Sequence, residues 1–213
     1  MLFRSLRRDE VARALDIAED AVRDDPDNVG ARLVRAQAYI AGGELRAAEA
    51  DLALVDRAAP DLPVVHGAIG ELALRRRRLP EARREFSRAL AGDPYLFEAI
   101  RGQATLEVLE RHPDRAVAIV DGVLKAVKDD PSLLLLAASV YRSTGDADRI
   151  ESTLRRVIEL DASNQQAYVA LASYYVDQNK LDEALHQLEY LLKLEPDHRE
   201  ARLLMESLPR PKG

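Results

Sequence analysis

A chain of 213 residues, 47% of them hydrophobic and 32% charged, has enough apolar side chains to bury a core, which excludes a disordered protein. The net charge of −6 argues against a module that binds nucleic acid duplexes, since such modules usually carry an excess of basic residues. The absence of cysteine excludes disulfides, thiolate metal sites and cysteine nucleophiles.

The N-terminal residues, MLFRSLRRDEV, are basic but lack the apolar segment of a secretory signal. The longest apolar run, Leu133–Val140, is much shorter than the ~20 residues needed to cross a bilayer. These two features predict a soluble, cytoplasmic protein. No stretch rich in glycine and proline divides the chain, so we expect a single domain.

Several residue types recur with one period of 34 residues, or a multiple of it. The recurrent residues are Pro26, Pro60, Pro94 and Pro196; Ala14, Ala48, Ala82, Ala116 and Ala184; Tyr39, Tyr141 and Tyr175; and Gly43 and Gly145. Chance rarely gives four residue types the same period, so the chain is built from internal repeats.

Each repeat has the pattern of two amphipathic helices. In the last full repeat, Tyr168, Leu171, Ala172 and Tyr175 share one face of a first helix. A polar corner, DQNK (177–180), separates it from a second helix with apolar residues at helical spacing, which ends before Pro196. Alanine at the recurrent position lets the two helices approach closely.

This pattern resembles the tetratricopeptide repeat (TPR) family over nearly the whole chain. The residues that carry the resemblance are Gly70, Ala82, Phe86, Ala89 and Pro94 in one repeat, and Ala172, Tyr175, Ala184 and Pro196 in another. The resemblance implies an all-α fold, a right-handed α-solenoid (superhelix) of stacked antiparallel helix pairs. The tryptophan common in the family's first helix is absent.

The period predicts one solenoid domain over residues 1–208. Its parts are a partial first repeat (1–28), five repeats (29–62, 63–96, 97–130, 131–164 and 165–198), a C-terminal extra helix (199–208) and a disordered tail (209–213). The chain is expected to begin near the end of a first helix, Leu2 to Leu6. In the repeat 97–130 a proline is missing at Lys128, so its second helix is expected to run further than its counterparts. Pro131 then opens the next helix, with Asp130 as its N-cap.

The run LRRRRLPEARREF (74–86) places six arginines between Arg75 and Arg84. It is compatible with a patch that binds an anionic ligand or nucleic acid. The favoured interpretation is a solvated corner between two helices, because no aromatic residue lies among the arginines to stack on bases.

No enzymatic motif is present, and the four histidines do not pair at the spacing of metal ligands. We therefore expect no catalytic residues, no metal site and no cofactor. The protein is predicted not to be an enzyme, although it could be the regulatory or targeting part of a larger multidomain protein.

A partner-binding groove is implied by the resemblance, because the first helices line the concave face of such solenoids. Polar residues recur along its centre and mostly apolar residues beside it; the same positions are equally compatible with an unoccupied solvent-facing edge. The candidate groove residues are Leu33, Gln37, Ile40, Glu71, Leu74, Arg101, Thr105, Val108, Leu135, Ser139, Arg142, Val169, Ser173 and Val176.

The sequence thus predicts a non-enzymatic scaffold that binds a peptide or helical segment of a protein partner in this groove. The lysines and asparagines with which some relatives hold a chaperone C-terminus are mostly missing, although Arg101 and Arg142 could hold one carboxylate. Leu2, Phe3 and Leu6 at the N-terminal end could equally join two copies of the chain.

Overall fold

The computed structural model describes residues 3–208, with side chains from residue 11 onward. Within that range the chain forms twelve α-helices and no strand. The helices are α1 (Phe3–Asp24), α2 (Val29–Gly42), α3 (Leu45–Ala58), α4 (Pro63–Arg75), α5 (Leu79–Gly92), α6 (Phe97–Leu109), α7 (Pro113–Ala126), α8 (Pro131–Thr144), α9 (Ala147–Leu160), α10 (Gln165–Asp177), α11 (Leu181–Leu194) and α12 (Arg199–Ser207). An all-α repeat fold is therefore confirmed.

The helices keep the 34-residue period of the sequence. Successive first helices begin at residues 29, 63, 97, 131, 165 and 199, and second helices at 45, 79, 113, 147 and 181. Pro63 and Pro131 begin helices and Pro80 lies in the first turn of α5, where a missing N–H costs no hydrogen bond. Asp130 caps α8 by accepting a 2.8 Å hydrogen bond from the backbone N–H of Leu133, as predicted.

The predicted extension of the second helix in repeat 97–130 is wrong. α7 ends at Ala126, 34 residues after the end of α5 and 34 before the end of α9. The backbone N–H of Val127 bonds to the carbonyl of Val123 at 2.9 Å, as Asp93 does to Ala89 in α5. The same hydrogen bond closes both helices, so the corner forms without a proline at position 128.

The N-terminal end also differs from the prediction. Residues 3–24 form one continuous helix, so the chain does not turn after residue 6 as it does between the helices of the other repeats. Ala14 is consequently exposed, whereas Ala48, Ala82 and Ala116 are fully buried, because no preceding helix of its own repeat covers it. Leu2, the side chains of Phe3 and Leu6, and the tail 209–213 lie outside the described residues.

The corner after each first helix contains one residue in the left-handed backbone region. Glycine holds this position twice, at Gly43 (φ 88°) and Gly145 (φ 71°). The equivalent residues of the other repeats are Arg77 (φ 60°), Arg111 (φ 64°) and Asn179 (φ 57°). Arg77, inside the arginine run, therefore has a backbone conformation that is costly for a residue with a Cβ.

Changing Arg77 to glycine is expected to raise the free energy of unfolding by about 0.5–1 kcal/mol, because glycine adopts this conformation without a steric penalty. Chemical denaturation of wild type and variant measures the difference. Gly43→Ala is the reciprocal control and is expected to destabilise the protein. A destabilising Arg77→Gly would show that the side chain of Arg77 contributes more than its backbone strain costs.

Contacts divide the chain into two compact units, Met1–Ile119 and Val120–Gly213. In the first, each first helix packs against the second helix that follows it, and α2, α4 and α6 are neighbours in that order. One core cluster is centred on Leu52 and Leu72, and another on Phe86 and Leu106. Alanines at the recurrent position lie between the helices of each pair, as the close approach requires.

In the second unit, α8 packs on α9, α9 on α10, and α10 on α11, while α12 covers α11. The recurrent tyrosines join first helices to the preceding second helix: Tyr141 Oη donates to Asp121 at 2.6 Å and Tyr175 Oη to Glu151 at 3.0 Å. The first unit repeats this contact between Tyr39 and Glu19 at 3.0 Å. The 34-residue tyrosine frame thus serves both packing and hydrogen bonding.

Stability at alkaline pH is expected to depend on Tyr141. Burial, together with its hydrogen bond to Asp121, raises the pKa of Tyr141 to about 12, above the roughly 10 of an unfolded tyrosine. This stabilisation is fully present below about pH 10 and is lost as the pH rises towards 12. Tyr141→Phe should be less stable than wild type at neutral pH, and denaturant titrations should show the gap narrowing above pH 10.

The exposed Tyr95→Phe variant is the control, and its stability is expected to follow that of wild type across this range. A gap between wild type and Tyr141→Phe that stayed constant from neutral to strongly alkaline pH would contradict the assignment.

Candidate functional site

A recess of about 300 Å³ opens on the first helices of the first unit. Residues from α2, α4 and α6, together with Leu96 just before α6, form its walls. The lining residues are Gln37, Ile40, Ala41, Val64, Gly67, Ala68, Glu71, Arg75, Leu96, Glu98 and Arg101. Four predicted groove residues, Gln37, Ile40, Glu71 and Arg101, thus meet around one cavity.

The recess exists because Gly67 has no side chain. The equivalent positions of the other repeats hold Leu33, Arg101, Leu135 and Val169, each of which would project from the first helix. A Cβ at Gly67 would lie 3.3 Å from the Cδ2 atom of Leu96 across the space. One missing side chain therefore leaves room for a side chain from another molecule.

A charged cluster forms the polar side of the recess. Glu71 accepts hydrogen bonds from Arg75 Nε at 2.9 Å and from a terminal nitrogen of Arg101 at 3.3 Å. The Glu71 side chain is only 13% exposed, whereas those of Arg75 and Arg101 are 51% and 39% exposed. Both guanidinium groups therefore keep further N–H groups that face solvent and are available to a ligand.

A second recess, of about 190 Å³, lies in the second unit between α8, α9 and α10. Its lining residues are Leu135, Ala138, Ser139, Arg142, Ile150, Leu154, Gln166, Ala170 and Tyr174. Three of them, Leu135, Ser139 and Arg142, are predicted groove residues. Arg142 forms an ion pair with Asp177, and Tyr174 Oη donates to the carbonyl of Ala147 at 3.1 Å.

The remaining predicted groove residues line neither recess. Leu74 is buried in the core cluster around Phe86, and Leu33 packs at the edge of the neighbouring cluster. Thr105 Oγ1 donates to the carbonyl of Arg101 in its own helix, at 2.8 Å. Val108 is exposed, and the half-buried residues are Val169, Ser173 and Val176.

Sequence reasoning did not assign Val64, Arg75, Leu96 and Glu98 to the site. Val64 and Glu98 lie in the first turns of α4 and α6, outside the positions chosen as centre and walls of the groove. Arg75 was assigned to the corner, but its spacing of four residues from Glu71 places both on one side of α4. That spacing was a signal available in the sequence.

The arginine run is largely engaged in ion pairs within the first unit. Arg76 pairs with Glu49 and donates to the carbonyl of Leu45, and this hydrogen bond lowers the pKa of Glu49 below its usual value. The other pairs are Arg75–Glu71, Arg78–Glu49, Arg78–Glu81, Arg83–Glu107, Arg83–Glu110 and Arg84–Glu85. Among the described residues only Arg77 of this run has no carboxylate within ion-pair distance.

None of the described helices is both long enough and apolar enough to span a membrane. Helix pairs repeated every 34 residues, with recesses on their first helices, define a helical-repeat protein. The chain belongs to the tetratricopeptide repeat family, because the family profile matches residues 5–72 and 141–208, more than half of the chain. Such repeats generally mediate protein–protein interaction, and proteins with this fold are typically non-catalytic scaffolds.

Among proteins of known function, the chain is similar to human DnaJ homolog subfamily C member 3, with 26% identity over 205 residues. The match covers 89% of this chain but only 41% of the human protein. The corresponding protein from Gallus gallus is also 26% identical, over 206 residues, and 41% of its length is covered.

Solved structures share the fold at low sequence identity. A tetratricopeptide repeat protein from Parabacteroides merdae has a TM-score of 0.72 and 18% identity, over 94% of this chain and 78% of that one. Yeast Tom70 has a TM-score of 0.72 and 19% identity, over 90% of this chain and 41% of Tom70. YrrB, described as a TPR protein with an unusual peptide-binding site, has a TM-score of 0.54 and 17% identity, over 91% of this chain and all of YrrB.

Proposed function

We propose that this protein is a non-enzymatic scaffold that binds an extended or helical segment of a protein partner on its first helices. The observation that carries the proposal is the recess at Gly67, lined by α2, α4 and α6. Its volume of about 300 Å³ is sufficient for a bulky apolar side chain. Val64, Ile40 and Leu96 supply the apolar contacts that such a side chain would replace water to make.

The charged cluster at the recess supports orientation of the bound segment. Arg75 and Arg101 are each held by Glu71, so their guanidinium groups are positioned before a partner arrives. Their remaining N–H groups would donate to carbonyl or carboxylate oxygens of the segment, while Gln37 would bond its backbone. Groups held in place before binding lose less conformational entropy on association.

The second recess is proposed to bind a second segment of a partner by the same principle. Leu135 and Leu154 provide apolar walls, and Ser139 and Gln166 provide polar groups. Arg142 is held by Asp177, much as Arg101 is held by Glu71. YrrB, a relative in fold, is itself described as having a peptide-binding site.

Nucleic-acid binding through Arg75–Arg84 is the less favoured proposal. Five of the six arginines already pair with carboxylates, so binding phosphates would require these ion pairs to break or be shared. Binding to phosphates would also weaken steeply with added salt, whereas segment binding in an apolar recess would respond only modestly. A salt titration of the complex with its partner therefore distinguishes the two proposals.

The proposal is tested by filling the recess. Gly67→Leu should fold normally, because Leu33 and Leu135 occupy the equivalent position in two other repeats. Its side chain would take the space that the partner needs, so capture of the partner from lysate should fall by at least about tenfold. Quantitative mass spectrometry of the captured proteins measures this loss.

The matched control is Gly122→Leu, the same change at an exposed helical glycine of α7 that has no other atoms nearby. This variant is expected to capture the same partner as wild type. If Gly67→Leu retained the partner fully while keeping its helical content, the recess would not be the binding site.

A further inference from the structure

A cluster of three metal-ligand side chains lies at the corner between α6 and α7. One ligand atom each from Glu107, Glu110 and His112 lies within 4.8 Å of the others. The cluster is separate from the recess at Gly67, whose lining includes none of these residues. From this geometry we propose that Glu107, Glu110 and His112 bind a divalent transition-metal ion such as Zn²⁺.

Glu107 supplies the observation that distinguishes this cluster from ordinary surface carboxylates. Its side chain is only 5% exposed, and its Oε2 atom is buried without any hydrogen-bond partner. A buried carboxylate oxygen with no donor is costly, because it has lost water without replacement. A metal ion at Oε2 would remove that cost.

The distances suit coordination better than a hydrogen bond. Oε2 of Glu107 lies 3.5 Å from Nδ1 of His112 and 3.9 Å from a terminal nitrogen of Arg115, both too far for effective hydrogen bonds. Two ligands about 2.0–2.1 Å from a tetrahedral Zn²⁺ are separated by about 3.4 Å. Glu110 is partly exposed, so a side-chain rotation can bring its oxygen into the third position.

The backbone of the corner creates this arrangement. Arg111 adopts the left-handed conformation (φ 64°), and the N–H of His112 then bonds to the carbonyl of Glu107 at 2.8 Å. This bond brings the imidazole back beside a residue five positions earlier. A search of the sequence for histidine pairs at helical spacing does not detect such a site.

Only one of the equivalent corners carries this set of ligands. The tyrosine position of the other repeats is taken by Glu107 here, and Glu110 and His112 replace residues that are mostly poor ligands. The equivalent triplets are Tyr39, Gly42 and Glu44; Ala73, Arg76 and Arg78; Tyr141, Thr144 and Asp146; and Tyr175, Gln178 and Lys180.

Arg83 holds the two carboxylates in position. It pairs with Oε1 of Glu107 and Oε2 of Glu110, which leaves one oxygen of each carboxylate for the metal ion. Groups that fix metal ligands in this way increase metal affinity. Arg115, in contrast, places a positive charge near Oε2 of Glu107 and should oppose a cation.

Isothermal titration of the full chain with ZnCl₂ tests the proposal. Wild type should bind one Zn²⁺ at this site, and His112→Gln and Glu110→Gln should each weaken binding about tenfold or more. Both residues lie at an exposed corner, so neither change should unfold the protein. Arg115→Gln should bind Zn²⁺ more tightly than wild type because a repelling charge is removed.

His186→Gln is the control, since His186 is an exposed histidine of α11 in the other unit. It should leave the affinity unchanged. Absence of Zn²⁺ binding by wild type would overturn the proposal and leave His112 and Glu107 as a simple ion pair. Equal affinities of wild type, His112→Gln and Glu110→Gln would overturn it as well, because the ion would then bind elsewhere.

Discussion

Replacing Phe86 with alanine is expected to lower the free energy of unfolding by about 3–5 kcal/mol, the usual cost of removing a fully buried aromatic side chain. Phe86 is completely buried in α5 at the centre of a core cluster. Two glycines make room for its ring: a Cβ at Gly70 would lie 2.6 Å from Cδ1 of Phe86, and a Cβ at Gly102 would lie 2.2 Å from Cζ. Urea or guanidinium unfolding measures the loss.

The fit of the ring between these glycines is tested by Gly102→Ala. Alanine normally stabilises a helix by about 1 kcal/mol relative to glycine, and Gly122→Ala in α7, where nothing obstructs a Cβ, should show that gain. Gly102→Ala should instead destabilise the protein by about 1–3 kcal/mol, because its methyl group would overlap the ring. In a Phe86→Leu background this penalty should largely disappear, since Leu52, Leu154 and Leu188 occupy the equivalent position. Equal effects of Gly102→Ala and Gly122→Ala would contradict this description of the core.

Changing Asp51 to asparagine is expected to cost about 2–3 kcal/mol, because it removes charge-assisted hydrogen bonds in a largely buried place. The Asp51 side chain is 5% exposed and accepts from Arg35 through two bonds of 2.7 Å and from Arg32 at 3.0 Å. The hydrogen bond to Asp51 also raises the pKa of Arg35. These bonds tie α2 to α3. Denaturant unfolding of the variant measures their contribution.

Asp56→Asn is the matched control, since Asp56 lies in the same helix and has no ion pair within the described part of the chain. Its effect should stay within about 0.5 kcal/mol. If Arg35→Met already removes the interaction, then adding Asp51→Asn to it should cost less than Asp51→Asn alone. Fully additive effects would show that the two side chains act independently.

Much of the fold could be predicted from the sequence because the repeat positions also determine where helices begin and end. Alanines and tyrosines with one spacing marked the helix interfaces, and Pro63 and Pro131 marked first turns. The extra helix Arg199–Ser207 begins and ends where the period predicts. The grouping of all repeats into one domain stays a prediction, since contacts divide the chain into two compact units.

The two errors in helix bounds have a common cause. At Lys128 a missing proline was taken as evidence of a longer helix, and at Leu2–Leu6 the period was taken as evidence of a turn. In the structure, backbone hydrogen bonds end α7 after the same length as its counterparts, whereas α1 continues through the position of the expected corner. A repeat frame specifies where a corner belongs but not whether each copy makes it.

The candidate site could be predicted only in part. The period placed Gln37, Glu71 and Arg101 in neighbouring first helices, and the structure brings them to one recess. The recess itself depends on the absence of a side chain at Gly67, which a pattern of polar and apolar positions does not register. Similarly, Arg76 reaches Glu49 across 27 residues of sequence, a pairing between helices that no helical spacing indicates.

Photo-crosslinking tests the proposed binding site most directly. A photoreactive phenylalanine analogue is placed at Val64, which is 39% exposed and lines the recess, or at Leu54, which is 40% exposed on α3 and does not line it. Both proteins are irradiated with the captured partner and analysed by mass spectrometry. We expect a covalent adduct with the partner from position 64 and none from position 54. Adducts from position 54 alone, or equally from both positions, would contradict binding on the first helices.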